Sequence, residues 1–553
     1  LLRISDSKFQ PFYGGVFPPI PIRHYYVWSW GGTIRRIFLV LGILILLLGC
    51  TSVLVVSVDS DTVSGDPGPQ IEPSADPFER FLPYNYNDYR FLGYFIEQYE
   101  HNNLVAPEPV SFVEHGGKSY WLETDSNGNH VAQLVNIGQV NEGDVVRVPK
   151  SIVHDGESYT VVSVGLCFQP LSMSDSTINE YLTHVGICGN SVEIPKAIDE
   201  SGYLTWSEPT HYSIVFEGRV KVQDLAFCEF DVFHGTTSQP HYYFTKSGIT
   251  SVTFEEGVSS IGQWAFAYSS IRNITVPDTE LVGERAFYYT EDLVSVDWAS
   301  DADISDYTFM DSALSEITIS GNPESIGERA FSSTKITSID IPDSITAIGD
   351  HAFFNCSELA SVSLGTGLTI IPVACFNSCV KLTDLSVAGS ITEVESGAFS
   401  KGPSLSSFDF SNVERIGDLA FERALIGNDL IILDLSNVKR IGDKAFRECT
   451  APVELILSSE LESVGTAALL GLNIVNGDIS VSAGCTLAES AFYGSNITSV
   501  SLGDGCTVGK MAFNGCTLLE SVTFGENCIL ESAIDVNGLV GTFAGSGLRS
   551  VMI

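Results

Sequence analysis

A phenylalanine returns along this chain at positions that barely drift. It stands at 266, 287, 309, 331, 353, 376, 399, 421, 446, 492 and 513, with Leu469 taking its place once. Successive gaps are 21, 22, 22, 22, 23, 23, 22, 25, 23, 23 and 21 residues, and Ala usually precedes the aromatic. A unit this short cannot bury its own apolar side, but stacked copies can share one continuous core. Each copy has the same parts. A short strand alternates, with Ile339 and Ile341, Val362 and Leu364, or Leu433 and Leu435 facing inward. An Ile-Gly pair follows (326–327, 348–349, 416–417, 441–442), then Ala-Phe, often a Cys three residues on, and an apolar residue such as Leu359. Strands at one fixed phase predict parallel pairing at about 4.8 Å per rung. The phenylalanines should stack inside, the alanines let the backbone pass close, and the glycines permit the turn.

Phe227 and Phe543 extend the series, and "VVSVGLCF" ending at Phe168 reads as its beginning. A period of 20–29 residues with one strand per unit belongs to the leucine-rich class. The expected fold is an α/β-type solenoid, a right-handed superhelix with one short parallel strand per repeat. Residues 143–553 form the array, with irregular inserts near 169–213 and 228–247. The final "GLRSVMI" reads as a strand cut before its turn, so the array is expected to continue further.

Ahead of the array, residues 37–58 are 22 residues without a charge. About 20 apolar residues cross a bilayer. Arg3, Lys8, Arg23, Arg35 and Arg36 precede the run, and Asp59, Asp61, Asp66, Glu72 and Asp76 follow it. That asymmetry puts segment 1–36 in the cytoplasm and the bulk outside. A signal-anchor helix, a cleaved signal peptide and a lipid-modified Cys50 in "LLGC" are the three readings. Residues 59–80 read as a Pro/Gly/Asp linker, and 81–142 as an aromatic segment plus a β-hairpin cap.

"IGERAF", "IGDHAFFNC", "IGDLAF" and "IGDKAFREC" closely resemble the BspA-type leucine-rich repeat surface proteins, with strands like "SIDIPDSITAIG". "GDVVRVPKSIVHDGESYTVVSVGLCF" resembles that family's first repeat, and "KSYWLETDSNGNHVAQLV" its hairpin cap. The resemblance spans roughly 110–553. It implies a cell-surface or secreted protein of recognition and adhesion, binding extracellular matrix or host surfaces.

The chain's charge is −40, from 68 acids against 28 bases. A phosphate backbone needs a basic stripe, so nucleic acid is excluded as a partner. No G-x-S-x-G, H-E-x-x-H, phosphate-binding loop or dinucleotide fingerprint occurs, so no enzyme activity and no cofactor are expected. Twelve cysteines include Cys356, Cys379, Cys449 and Cys516 at one repeat phase and Cys485, Cys506 and Cys528 at another. They read as ladders of buried thiols with few disulfides. "DSNGN" at 125–129 begins like a calcium loop but lacks its later ligands, and reads as a hairpin turn. His211, His234 and His241 lack metal-ligand spacing. Asn273, Asn355 and Asn496 begin glycosylation sequons.

Two sets of residues are candidates for contact. The strand residue between the inward pair faces out, giving a strip: Thr253, Thr275, Asp297, Thr318, Asp340, Ser363, Ser386, Asp409, Asp434, Ile456, Ser480, Ser501 and Thr523. Asp297, Asp340, Asp409 and Asp434 are its charged members. Asp409 and Asp434, on neighbouring rungs, would tolerate a cation between them. Trp206, Tyr212, His234, Tyr242, Tyr243 and Phe244 are aromatic residues read as loop residues of the inserts, either contacting a ligand or capping irregular rungs. The expected function is a membrane-anchored extracellular recognition or adhesion protein with a protein or glycan ligand. The alternatives are an envelope protein that self-associates, and the ectodomain of a larger enzyme.

Overall fold

The computed structural model describes residues 111–165, 197–198, 204–205, 209–224, 226–233, 241–389, 391–402, 405, 408–531, 533–535 and 538–552. The spanning segment expected at 37–58, the linker at 59–80 and the aromatic segment near 84–99 lie outside them. Among the described residues no helix is long and apolar enough to cross a membrane.

Strands Ser111–His115, Lys118–Thr124 and His130–Asn136 form an antiparallel meander. Its turn is the "DSNGN" stretch. Asp125 Oδ1 accepts the backbone N–H groups of Asn127 and Asn129 at 2.9 and 2.8 Å, closing the loop on itself. His130–Asn136 then pairs in parallel with Glu157–Val164, which passes the sheet on to Val220–Val222 and Val258–Ile261.

From there the chain climbs rung by rung. Asn273–Val276, Ser295–Trp298 and Glu316–Ile319 pair in parallel and in register, as do Ser338–Ile341, Ser361–Leu364 and Asp384–Val387. Asp478–Val481, Ser499–Leu502, Ser521–Phe524 and Ser550–Met552 continue the pattern. A second ladder runs beside the first. Two-residue strands at the Ile-Gly motif build an eight-stranded sheet from Ile370–Ile371 to Ile529–Leu530. Seven of those eight rungs thus carry two described strand segments where the periodicity predicts one, the rung of Arg415–Ile416 being the exception.

The phenylalanines stack inside as the spacing predicts. Phe227, Phe266, Phe287, Phe309, Phe331 and Phe353 lie face to face, with ring centroids 5.0–5.4 Å apart. The column runs on to Phe446, is interrupted at Leu469, and resumes with Phe492, Phe513 and Phe543. Stacked aromatic pairs contribute about 0.5–1.5 kcal/mol each beyond area burial.

The α/β class is corrected: the described residues contain no helix and are all-β. The reason lies around the Ala-Phe pair. Two residues four apart take left-handed backbone there: Trp264 and Tyr268, Arg285 and Tyr289, Arg329 and Ser333, His351 and Asn355, Lys444 and Glu448. A right-handed helix cannot pass through such positions, which cost about 1–2 kcal/mol each for non-glycine residues. Hydrogen bonds offset the strain. The N–H groups of His351, Phe353 and Asn355 donate to the carbonyls of Val373, Cys375 and Asn377 on the next rung, at 2.8, 3.0 and 2.8 Å. Those of Ala352, Phe354 and Cys356 turn back onto their own rung. Every N–H of the turn is therefore satisfied.

The glycine of Ile-Gly has a different cause from the one expected. Gly349 is not at positive φ. A Cβ there would lie 2.3 Å from the backbone N of Glu328, one rung back. Close approach of rungs, not turn geometry, requires it. The Asp that often follows is also explained. Asp306, Asp418 and Asp443 each accept the N–H of the residue one rung on: Glu328 at 2.6 Å, Asp443 at 2.7 Å and Thr466 at 2.6 Å. Part of the chain's acidity thus caps successive turns.

Candidate functional site

The outward strip is where the alternation predicts. Thr275 faces Asp297, which faces Thr318. Asp340 faces Ser363, which faces Ser386. Ser480 faces Ser501, which faces Thr523. All thirteen positions are exposed or half-exposed, while their strand neighbours Ile339, Val362, Leu433 and Val500 are buried. Asp297 is half-exposed and accepts the Ser320 hydroxyl at 2.6 Å, whereas Asp340, Asp409 and Asp434 are exposed. Asp409 and Asp434 fold back onto their own turns, accepting the N–H groups of Ser411 and Ser436 at 2.9 and 3.0 Å. Among the described residues no group of three His, Cys, Asp or Glu side chains could hold a metal ion.

A groove lies on the strip. Strands Ile249–Phe254 and Asn273–Val276 belong to different sheets, and at that seam lies a cavity of about 410 Å³ lined by Thr253, Phe254, Asn273, Thr275, Ser295 and Asp297. Ser295 Oγ donates to Asn273 Oδ1 at 2.7 Å inside it. The strip is also electrostatically one-sided. No strand of this ladder from Ile249 to Phe524 contains Lys or Arg, yet it bears Asp297, Glu316, Asp340, Asp384, Asp434, Glu454 and Asp478. Among the described residues none of these seven is in an ion pair. Several cations of the neighbouring turns and of the second ladder pair with acids there, as in Arg415–Glu393, Arg423–Glu448, Lys439–Glu414 and Arg440–Glu462.

The insert residues fare differently. Tyr212 is corrected: it lies in strand Tyr212–Phe216, only 3% exposed, with Ile214 and Phe216 buried beside it. The irregular spacing hides an ordinary inward alternation, so its ring serves the core. Tyr242, Tyr243 and Phe244 are not in a loop either. Strand His241–Thr245 pairs antiparallel with Glu229–Phe233, making the insert a hairpin. Trp206 and His234 lie outside the described residues. Of the three histidines, His211 has a structural partner: its backbone N–H and ring Nδ1 both meet the Glu142 carboxylate, at 2.7 and 3.2 Å.

The cysteines are reduced where described. Cys356, Cys379, Cys449 and Cys516 donate their thiols to the carbonyls of Phe331, Phe353, Phe421 and Phe492 at 3.0–3.1 Å, one rung back. Burial pushes the thiols of Cys356, Cys449 and Cys516 up to about 11 and that of Cys485 up to about 12. A thiol that far from ionising is a poor nucleophile. This row is structural and offers no redox or catalytic centre.

Sequence reasoning missed one exposed apolar group on the strip, around Ile432 and Val475, 62% and 53% exposed. The available signals are Ile456, the single apolar member of the strip, and the 25-residue gap between Phe421 and Phe446.

The family model described as BspA type Leucine rich repeat region matches in six copies, over residues 237–303, 302–426 and 428–534. No curated protein matches this chain. Among solved structures it is similar to the pneumococcal vaccine antigen PcpA: 18% identity, 80% of this chain and 88% of that one covered, TM-score 0.30. A leucine rich cell surface protein from Faecalibacterium prausnitzii A2-165 gives 17% identity, 76% and 96% coverage, and TM-score 0.32. A leucine-rich repeat protein from Bacteroides ovatus ATCC 8483 gives 16%, 77% and 98%, and 0.27.

Proposed function

We propose that this chain, which belongs to the BspA-type leucine-rich repeat family, is a non-catalytic recognition protein of the cell surface whose solenoid presents the strand face to an extracellular protein partner. Residues 37–58 would hold it in the membrane with the array outside, and adhesion to another surface would be its biological use. One observation supports the reading above the others. Thirteen outward side chains, one per rung, are exposed or half-exposed and nearly all short and polar, and the strands that carry them pair in register within each sheet. A rigid face with short side chains costs little ordering entropy on binding. Its uncompensated carboxylates would steer a cationic partner and repel nucleic acid and anionic surfaces.

The test is to screen the full chain against extracellular matrix proteins, mucins and glycans, then to block the face. Ser363→Arg and Ser501→Arg place bulk and charge on the strip. Lys444→Glu changes the turn side, where Lys444 is exposed. Loss of binding in the strip variants alone supports the reading. Retained binding in both strip variants moves the site elsewhere. Self-association without any ligand favours an envelope role.

A further inference from the structure

We propose that the strand face around Ile432 and Ile456 is a docking surface for a basic amphipathic segment of a protein partner, in which Lys or Arg alternates with apolar residues. This rests on the recognition reading above and names its partner chemistry. Four apolar side chains stand in water here: Ile432 is 62% exposed, Leu430 57%, Val475 53% and Ile456 39%. Elsewhere the strip is Ser, Thr and Asp. Ile432 lies directly opposite Glu454, and Asp434 directly opposite Ile456. Two rungs thus make a checkerboard of apolar and acidic residues, with strands about 4.8 Å apart. The rung between Phe421 and Phe446 has 25 residues, the longest between Phe266 and Phe513, and its extra residues lead into strand Ile431–Leu435. Inserted length on one side of a repeat array gathers at binding faces.

Charge selects the occupant. Asp434 and Glu454 have no ion-pair partner among the described residues, and no Lys or Arg lies on this strand ladder from Ile249 to Phe524 to supply one. A purely apolar partner would cover both carboxylates without compensating them. A second copy docking through the same patch would set acid against acid. Lys and Arg satisfy both elements at once, because their methylene stems cover Ile432 and Ile456 while their heads reach the carboxylates.

The experiment titrates the full chain with three end-capped octapeptides: Lys alternating with Val, Lys with Ser, and Glu with Val. The Lys/Val peptide is expected to bind, and to weaken with salt. Ile432→Ser with Ile456→Ser should weaken it about tenfold or more at unchanged Tm. Asp434→Asn with Glu454→Gln should weaken it and flatten the salt dependence. Asp350→Asn with Glu489→Gln, both exposed on the turn side, should leave it within about twofold. Equal binding of Lys/Val and Lys/Ser, or equal loss in the turn-side pair, overturns the proposal. So does self-association that the Ile432→Ser/Ile456→Ser variant abolishes when the Lys/Val peptide does not bind. If the patch variants bind like the parent while Ser363→Arg still abolishes capture of the screened partner, the patch falls and the recognition reading stands.

Discussion

Replacing Phe353 interrogates the array where it is most fully stacked. Its ring is 0% exposed and lies between Phe331 and Phe376, with centroids 5.2 and 5.3 Å away and planes within 4° and 8° of parallel. Phe353→Leu keeps an apolar side chain, as Leu469 does one column break later. It forfeits two stacked pairs at about 0.5–1.5 kcal/mol each and adds a small packing loss, about 1–3 kcal/mol in all. Phe353→Ala opens a cavity and should cost about 3–5 kcal/mol. Phe353→Asp places a charge where the described surroundings offer Ala352, Cys356 and two rings, and should cost more than the alanine. Repeat arrays unfold from local losses of neighbour contact, so a global melt can blur the effect. Hydrogen exchange on peptides covering 331–376, beside thermal unfolding, resolves it. The amides of His351, Phe353 and Asn355 should lose protection in the order Leu, Ala, Asp. An aspartate variant that melts and exchanges like the parent would refute the buried ladder.

Gly349→Ala should destabilise by about 1–3 kcal/mol through overpacking against Glu328, whereas Gly484→Ala, at φ 73° with open space around it, should cost only the left-handed penalty of about 1–2 kcal/mol; urea unfolding of the pair compares them. In thiol titration of the native chain at pH 8, Cys356, Cys379, Cys449 and Cys516 should stay unreactive while half-exposed Cys528 labels first among the described cysteines, and all should react in denaturant. Burial raises the Asp311 carboxyl, against opposing help from Ser333 and Arg329, so its charged form weakens the fold. Stability tied to this group is present below the unfolded value near 3.8 and declines as pH rises through the folded value. Asp311→Asn should therefore raise Tm at pH 7, and the gain should vanish below about pH 3.8.

The array was legible because its signals are periodic. Inward and outward strand residues follow from alternation alone, and thirteen strip positions fall where it places them. The phenylalanine column follows from spacing. What escaped depends on contacts between rungs rather than on residue type within one. Gly349 is needed because another backbone passes 2.3 Å from its missing Cβ. The left-handed pair at His351 and Asn355 is held by carbonyls 22 residues away. Asn355 suits such a position, but the equivalent residues on other rungs include Trp264, Arg285, Tyr289, Lys444 and Glu448, so composition conceals the turn that forbids a helix. Tyr212 misled for the opposite reason: an insert broke the phase, and an inward strand residue looked unassigned. The patch at Ile432 stayed hidden because its acidic partner, Glu454, occupies the alternate outward position, which a one-residue-per-rung strip does not sample.

Carboxyl footprinting tests the recognition claim most directly. The full chain is labelled at Asp and Glu with and without the partner retained by the screen, and modification is read peptide by peptide. Protection at Asp297, Asp340, Asp409, Asp434 and Glu454, with Asp350, Asp418 and Glu489 on the turn side labelled as before, is the predicted result. Protection confined to Asp350, Asp418 and Glu489, with the strip labelled equally in both states, would contradict it.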